Sequence, residues 1–171
     1  MMTTRRIHDD EGNAQFVTFS CYRRRRLLDD EDARGIVLAT LAEELAKCHG
    51  TCCGFVVMPD HVHAILWFPE SGRLSPMMQT WKSRSSRQLK RLVRGRFQEY
   101  ATSIDRKDPF WQSKYYPFSL FSEKKAEEKL DYMHLNPVRA GLVERACDWA
   151  WSSARYYEDG TPVGVPLEWI F

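Results

Sequence analysis

Nowhere in its 171 residues does the chain carry eighteen apolar residues in a row, so nothing in it reads as a membrane-spanning helix. Its opening, Met1 to Gly12, is polar and charged and lacks the apolar core of a secretory signal. Cysteine is sparse and poorly spaced for cross-linking. Cys21, Cys48, Cys52, Cys53 and Cys147 form an odd set without a C-x-x-C pair, which argues against a disulfide framework and against a thiolate zinc site. The expectation is a reduced, cytoplasmic protein. Repeats and low-complexity linkers are also missing, so one domain is expected over 1–171, with a core of about 14–153 and a C-terminal tail of 154–171. One absence is local: from Ser71 to Gln98 there is no acid, yet Arg73, Lys82, Arg84, Arg87, Lys90, Arg91, Arg94 and Arg96 all fall there.

What is present centres on Val56-Val57-Met58-Pro59-Asp60-His61-Val62-His63-Ala64-Ile65-Leu66-Trp67-Phe68. It reads as two apolar strands, Thr51 to Met58 and His61 to Phe68, joined by a tight Pro-Asp turn into an antiparallel hairpin. Side chains alternate faces along a strand, so His61 and His63 project together while Val62 points the other way. Two neutral imidazoles so placed can take neighbouring positions on a divalent cation. The same pattern also suits one buried and one solvated histidine, and the spacing alone leaves both readings open.

Upstream, Gln15 to Tyr22 is aromatic and β-branched and predicts a first strand. The run Arg23, Arg24, Arg25 and Arg26 follows it, suited equally to a solvated turn and to phosphate binding. Asp29 to His49 then reads as a helix, with acids in its first turn and Gly50 at its stop. After the hairpin, a second helix is expected from Ser75 as N-cap and Pro76 as first residue to about Val93. Its exposed faces carry Lys82, Arg84, Arg87, Lys90 and Arg91 with serines and Gln88 between them, a composition suited to tracking a phosphate backbone as well as to simple solvation. Residues 94–108 predict only a connection. Pro109 to Phe121 should hold a fourth strand interrupted or ended near Pro117, and Ser122 should cap a third helix that Pro137 ends after Asn136.

Strand, helix, hairpin, helix, strand is the order of an α+β, ferredoxin-like antiparallel sheet packed by helices, here with an appended C-terminal helix. On that last helix Tyr132 and Asn136 are one turn apart and share a face. An asparagine carbonyl can be a third metal ligand, and a phenol near a cation can attack a phosphate that the cation polarises. Packing for Tyr132 and helix termination for Asn136 account for the same residues.

The stretches Val57 to His63, Phe110-Trp111-Gln112, Asp131 to Val143 and Trp149-Ala150-Trp151-Ser152-Ser153 together resemble the REP-associated tyrosine transposases, one-tyrosine HUH transposases of small bacterial insertion sequences. The likeness runs from the first strand to the Trp-Ser-Ser element. It implies a ferredoxin-like fold and divalent-metal-dependent cleavage and rejoining of single-stranded DNA beside a hairpin formed by an imperfect palindrome. By position, His61 and His63 match the metal ligands, Tyr132 the nucleophile and Asn136 the polar ligand, where relatives often carry glutamine. The expected cofactor is Mg2+ or Mn2+, and the expected intermediate a 5′-phosphotyrosine. The expected partner is single-stranded hairpin DNA, with no membrane and no obligate protein partner, in a bacterial cytoplasm at the nucleoid. The rival reading is a non-catalytic module that holds structured single-stranded DNA or RNA. A metal-dependent phosphohydrolase is a further rival, but it would need a carboxylate cluster that is missing beside the histidines.

Overall fold

The structure is a computed structural model and describes residues 12–96 and 107–171. Most of the N-terminal lead-in and residues 97–106 of the expected connection therefore lie outside the described residues. Four strands, β1 (Ala14–Ser20), β2 (Thr51–Val57), β3 (His61–Trp67) and β4 (Tyr116–Leu120), form one antiparallel sheet in the order β2-β3-β1-β4. Helices α1 (Glu31–Cys48) and α2 (Leu74–Arg96) cover one face, and α3 (Glu123–His134) covers the other. This is the ferredoxin-like arrangement with an added helix.

The period-2 pattern of the central strands divides the core. Val17 and Phe19 of β1 and Val62, Ala64 and Leu66 of β3 enter the cluster beneath α1 and α2. Phe16 and Ile65 face the other way, into the cluster under α3. His61 and His63 share the parity of Ile65, so strand geometry places both imidazoles on the α3 side. Asp30 caps α1 by accepting a hydrogen bond from the Ala33 amide at 3.1 Å, and Ser122 caps α3 through the Lys125 amide at 3.2 Å.

Three boundaries differ from the sequence expectation. Helix α2 starts at Leu74, whose fully buried side chain anchors the first turn, so Ser75 lies inside the helix and Pro76 falls where a missing N–H costs little. Pro117 does not break the fourth strand but sits within β4 opposite Val17; β4 is an edge strand, where proline is tolerated. Helix α3 ends at His134, and Pro137 occupies the first turn of a short helix, α4 (Asn136–Arg139), instead of terminating the long one.

The C-terminal segment is laid against the outer edge of β2. Ser152 bridges Val56, Leu167 bridges Cys52, and the Val57 amide donates to the Trp151 carbonyl at 2.8 Å. That coverage removes one of the sheet's two free edges. Beyond Ser153 the chain forms α5 (Ala154–Asp159) and returns to place Trp169 and Phe171 beside the α3 cluster.

A bulge in β2 sets how closely α3 approaches. The pairing shifts between Cys52 and Gly54, and a Cβ at Gly54 would lie 2.4 Å from Leu130 Cδ1 and 2.6 Å from Met133 Cε. Gly54→Ala should therefore force the ends of the Leu130 and Met133 side chains to repack over β2, costing about 1 kcal/mol. Urea unfolding reads the loss, and an unchanged midpoint would show that α3 does not depend on that contact.

Candidate functional site at the end of the sheet

The hairpin turn that carries His61 is fixed from three directions. The Met58 amide donates to the His61 carbonyl at 2.8 Å, the Cys21 amide to the Asp60 carbonyl at 2.8 Å and the Leu28 amide to the Pro59 carbonyl at 2.9 Å. His61 thus starts β3 directly opposite Ser20, the last residue of β1.

Each imidazole has one nitrogen engaged. His61 Nδ1 lies 2.6 Å from Asp60 Oδ1; an ionised carboxylate only accepts, so this nitrogen carries the proton and Nε2 keeps its lone pair. His63 Nδ1 lies 2.7 Å from Thr18 Oγ1, which likewise leaves Nε2 uncommitted. Burial lowers the pKa of His61, opposed by the Asp60 hydrogen bond, and burial with the neighbouring His61 pushes His63 down to about 3. Both rings are held neutral at physiological pH, the state a metal requires.

Asp60 is itself steered. Arg24 Nε pairs with Asp60 Oδ2 at 3.0 Å while Arg24 NH1 donates to Ser20 Oγ at 2.9 Å. The backbone at Arg23 and Arg24 is left-handed, with φ of 55° at both, a conformation that costs a non-glycine residue about 1–2 kcal/mol. The strained turn brings the Arg24 guanidinium back over the end of β1.

Opposite the histidines, α3 presents Tyr132. A cavity of about 470 Å3 is lined by Arg24, His61, His63, Lys129, Tyr132 and Asn136, with Phe16, Thr18 and Tyr116. The Tyr132 ring centroid stands 5.8 Å from that of His63, and the residue is 44% exposed. Its hydroxyl makes no hydrogen bond among the described residues, whereas cations flank its ring: Lys129 Nζ at 5.7 Å and the Arg139 guanidinium at 5.1 Å from the centroid. Lys129 also stands over Phe16 and Phe118, which hold the ammonium at the cavity wall. The C-terminal end of α3 is anchored by His134, whose Nε2 lies 2.7 Å from Ser153 Oγ, and Ser153 Oγ accepts from the Phe55 amide at 2.9 Å. Burial lowers the His134 pKa to about 4 and keeps this strut uncharged.

Among the described residues no three histidines, cysteines or acids gather to hold a metal. The donors in this cavity are instead two neutral imidazoles and the Asn136 amide, a mixed N/O set that fits a divalent ion once substrate and water oxygens complete it.

The structure brings His61, His63, Tyr132 and Asn136 to one cavity, along with Arg24. It disperses the other basic residues. Arg26 pairs with Asp29, Arg25 lies 3.9 Å from Asp108, and Arg23 stacks on its neighbour Tyr22. The acids missing from the 71–98 stretch come from α1: Arg84 pairs with both Glu43 and Glu44 and drops out of the exposed basic face. Lys82 Nζ donates to the carbonyls of Gln112 and Ser113 at 2.7 and 3.0 Å. Arg87, Lys90 and Arg91 make no ion pair among the described residues. Sequence reasoning missed Asp60, Thr18 and Lys129. Lys129 carried a usable signal, since Lys129, Tyr132 and Asn136 follow the 3-and-4 spacing of one helical face.

The solved structure of a REP-associated tyrosine transposase bound to a REP hairpin superimposes with a TM-score of 0.72 over 98% of this chain and 93% of that one, at 21% identity, a likeness of fold. A REP-associated tyrosine transposase of Escherichia coli K12 is 24% identical over 115 residues, covering 67% of this chain and 59% of its own length. A Haemophilus influenzae protein named for the same transposases is 28% identical over 114 residues, 66% of this chain and 62% of that protein. The chain thus matches about three fifths of the length of these curated relatives. The profile of one family, Transposase IS200 like, matches residues 10–135, from the first strand through the histidine pair to the helix that bears Tyr132. On that match, over most of its length, the chain belongs to the Transposase IS200 like family.

Proposed function

We infer that this protein is a metal-dependent transposase and endonuclease acting on single-stranded DNA beside a hairpin, with Tyr132 as nucleophile. The observation that carries the reading is the meeting of Tyr132 and Asn136 of the α3–α4 segment with His61 and His63 of β3 in one cavity whose cationic side chains, Lys129 and Arg24, suit a phosphodiester. Family membership and the hairpin held by the structural relative support the choice of substrate.

In this reading His61, His63 and Asn136 would hold Mg2+ or Mn2+, which would supply Lewis-acid chemistry at the scissile phosphate. Arg24, with one guanidinium nitrogen left after Ser20 and Asp60, draws a non-bridging oxygen into the cavity. Tyr132 Oη gives up its proton to solvent and attacks phosphorus, and Lys129 beside the ring stabilises the developing phenolate. The bond from phosphorus to the 3′ oxygen breaks, that oxygen takes a proton, and the 5′ side remains joined to Tyr132 as a phosphodiester. Reversal of the step by another 3′-hydroxyl rejoins DNA without a nucleotide cofactor, since one phosphodiester replaces another.

Lys129→Met should slow adduct formation about 100-fold, the scale of losing one preorganised charge, with hairpin affinity nearly unchanged and partial recovery in Lys129→Arg. Single-turnover kinetics read this, and an unchanged rate in Lys129→Met would remove Lys129 from the chemistry.

The test of the reading as a whole is a denaturing gel of end-labelled single-stranded hairpin DNA from the gene's flanks, run with and without Mn2+. A metal-dependent covalent band supports it. Tight binding with no covalent band under any condition would leave a DNA-holding module.

A further inference from the structure

A second cavity, of about 320 Å3, opens between α2 and the segment from Pro109 to Tyr115 on the opposite face of the sheet. Its wall includes Trp111, buried against Phe19 with its Nε1 donating to Ser85 Oγ at 3.0 Å, and Tyr115, whose hydroxyl lies 2.7 Å from Ser75 Oγ. Lys82 ties the two walls together through its bonds to the Gln112 and Ser113 carbonyls. The polar side chains on the remaining lining are the amides of Gln79 and Gln112 and the hydroxyls of Ser83, Ser86 and Ser113, and among the described residues no carboxylate lines the cavity.

We propose that this groove is a nucleobase-binding site for unpaired DNA leading to the Tyr132 cavity, a proposal that rests on the DNA-cleaving reading above. Three features select this occupant. The half-buried Tyr115 ring beside neutral groups that both donate and accept matches the stacking face and hydrogen-bonding edge of a base. The same helix face continues one turn beyond Ser83 and Ser86 into Arg87 and Lys90, which lack ion-pair partners among the described residues and are placed to receive the backbone. The groove also adjoins the reaction site through consecutive residues. Tyr115 lines the groove, and Tyr116, 50% exposed, lines the cavity of His61, His63 and Tyr132. At the same end of the sheet the Gln112 amide donates to the Ser20 carbonyl at 2.9 Å, and Ser20 stands opposite His61. A strand rounding the β4 edge passes from one site to the other, so base identity read in the groove sets which phosphate reaches Tyr132.

The probe is a hairpin oligonucleotide with single-stranded flanks, carrying 5-iododeoxyuridine at one flank position at a time. It is irradiated with the full-length Tyr132→Phe protein and the cross-linked residue is identified by mass spectrometry. Cross-links to Tyr115 are expected from at least one flank position, with fragment spectra separating Tyr115 from Tyr116. Ser83→Trp, which fills the groove from an exposed helix position, should abolish those cross-links. It should also weaken binding of the flanked DNA about 10-fold, the scale of one lost base stack, while leaving a hairpin without flanks bound as before. Cross-links confined to Tyr116 and the Tyr132 cavity, or equal affinity of Ser83→Trp and the parent protein for flanked DNA, would overturn the proposal. A wild-type covalent adduct without groove cross-links defeats the groove alone; groove cross-links without any adduct defeat the tyrosine chemistry alone.

Discussion

Replacing Tyr132 with phenylalanine should abolish the covalent protein–DNA adduct, a loss of at least about 10^4-fold in rate, while hairpin binding and thermal stability stay near those of the parent protein. The contrast follows from what the hydroxyl does. Tyr132 is 44% exposed and its hydroxyl has no hydrogen-bond partner among the described residues, so the folded state loses nothing when the oxygen goes. The ring survives in phenylalanine and keeps its contacts with Phe16, Lys129 and Arg139. Only the nucleophilic atom is removed. A denaturing gel reads the adduct and a differential melting curve reads the fold. Adduct formation by Tyr132→Phe at the parental rate would move the nucleophile elsewhere, with Tyr116 first in line because it lines the same cavity.

The second large effect is expected at His63. His63→Asn should lower cleavage on the order of 10^3-fold at fixed Mn2+, the equivalent of about 4 kcal/mol of transition-state stabilisation. Part of any loss could come from packing, because the His63 ring is buried and stacks on Phe16 at a centroid distance of 5.2 Å. Asparagine was chosen because it keeps a polar group within reach of Thr18 and limits the void. Two readouts separate packing from ligation. If His63 holds the ion, raising Mn2+ restores part of the rate in His63→Asn, and direct titration shows weaker Mn2+ binding to the variant without DNA. A variant that melts early but binds Mn2+ with parental affinity would assign His63 to the core. Chelation of divalent ions from the parent protein should stop cleavage and leave hairpin binding in place.

Much of this arrangement is legible from short-range pattern. The alternation of His61, Val62 and His63 decides which side of β3 the imidazoles take, and the four-residue step from Tyr132 to Asn136 decides that they share a helical face. Both periods depend only on local backbone geometry, so neither needs the tertiary fold. The misses have a common cause in long-range pairing. Arg84 looks unbalanced in a stretch without acids, but Glu43 and Glu44 reach it from α1, about forty positions away in the chain. Asp60 is adjacent to His61 in sequence, yet its function depends on Arg24, which a left-handed turn after β1 returns to it. The prolines misled for a related reason. Pro117 by sequence should interrupt or end a strand and Pro137 should end a helix, and the fold accepts them because one lies on a sheet edge and the other in a helix's first turn. Gly54 gave no sequence signal as the contact point of α3, since its role appears only when Leu130 and Met133 stand over it.

The most direct measurement of the central claim is the identity of the residue that carries DNA. Wild-type protein is incubated with Mn2+ and the flanked hairpin, digested with nuclease and trypsin, and the nucleotide-bearing peptide is sequenced by mass spectrometry. The account predicts a nucleotide joined through its 5′-phosphate to Tyr132 in the peptide Leu130 to Arg139. A nucleotide on Tyr115 or Tyr116, in the peptide Tyr115 to Lys124, would contradict it.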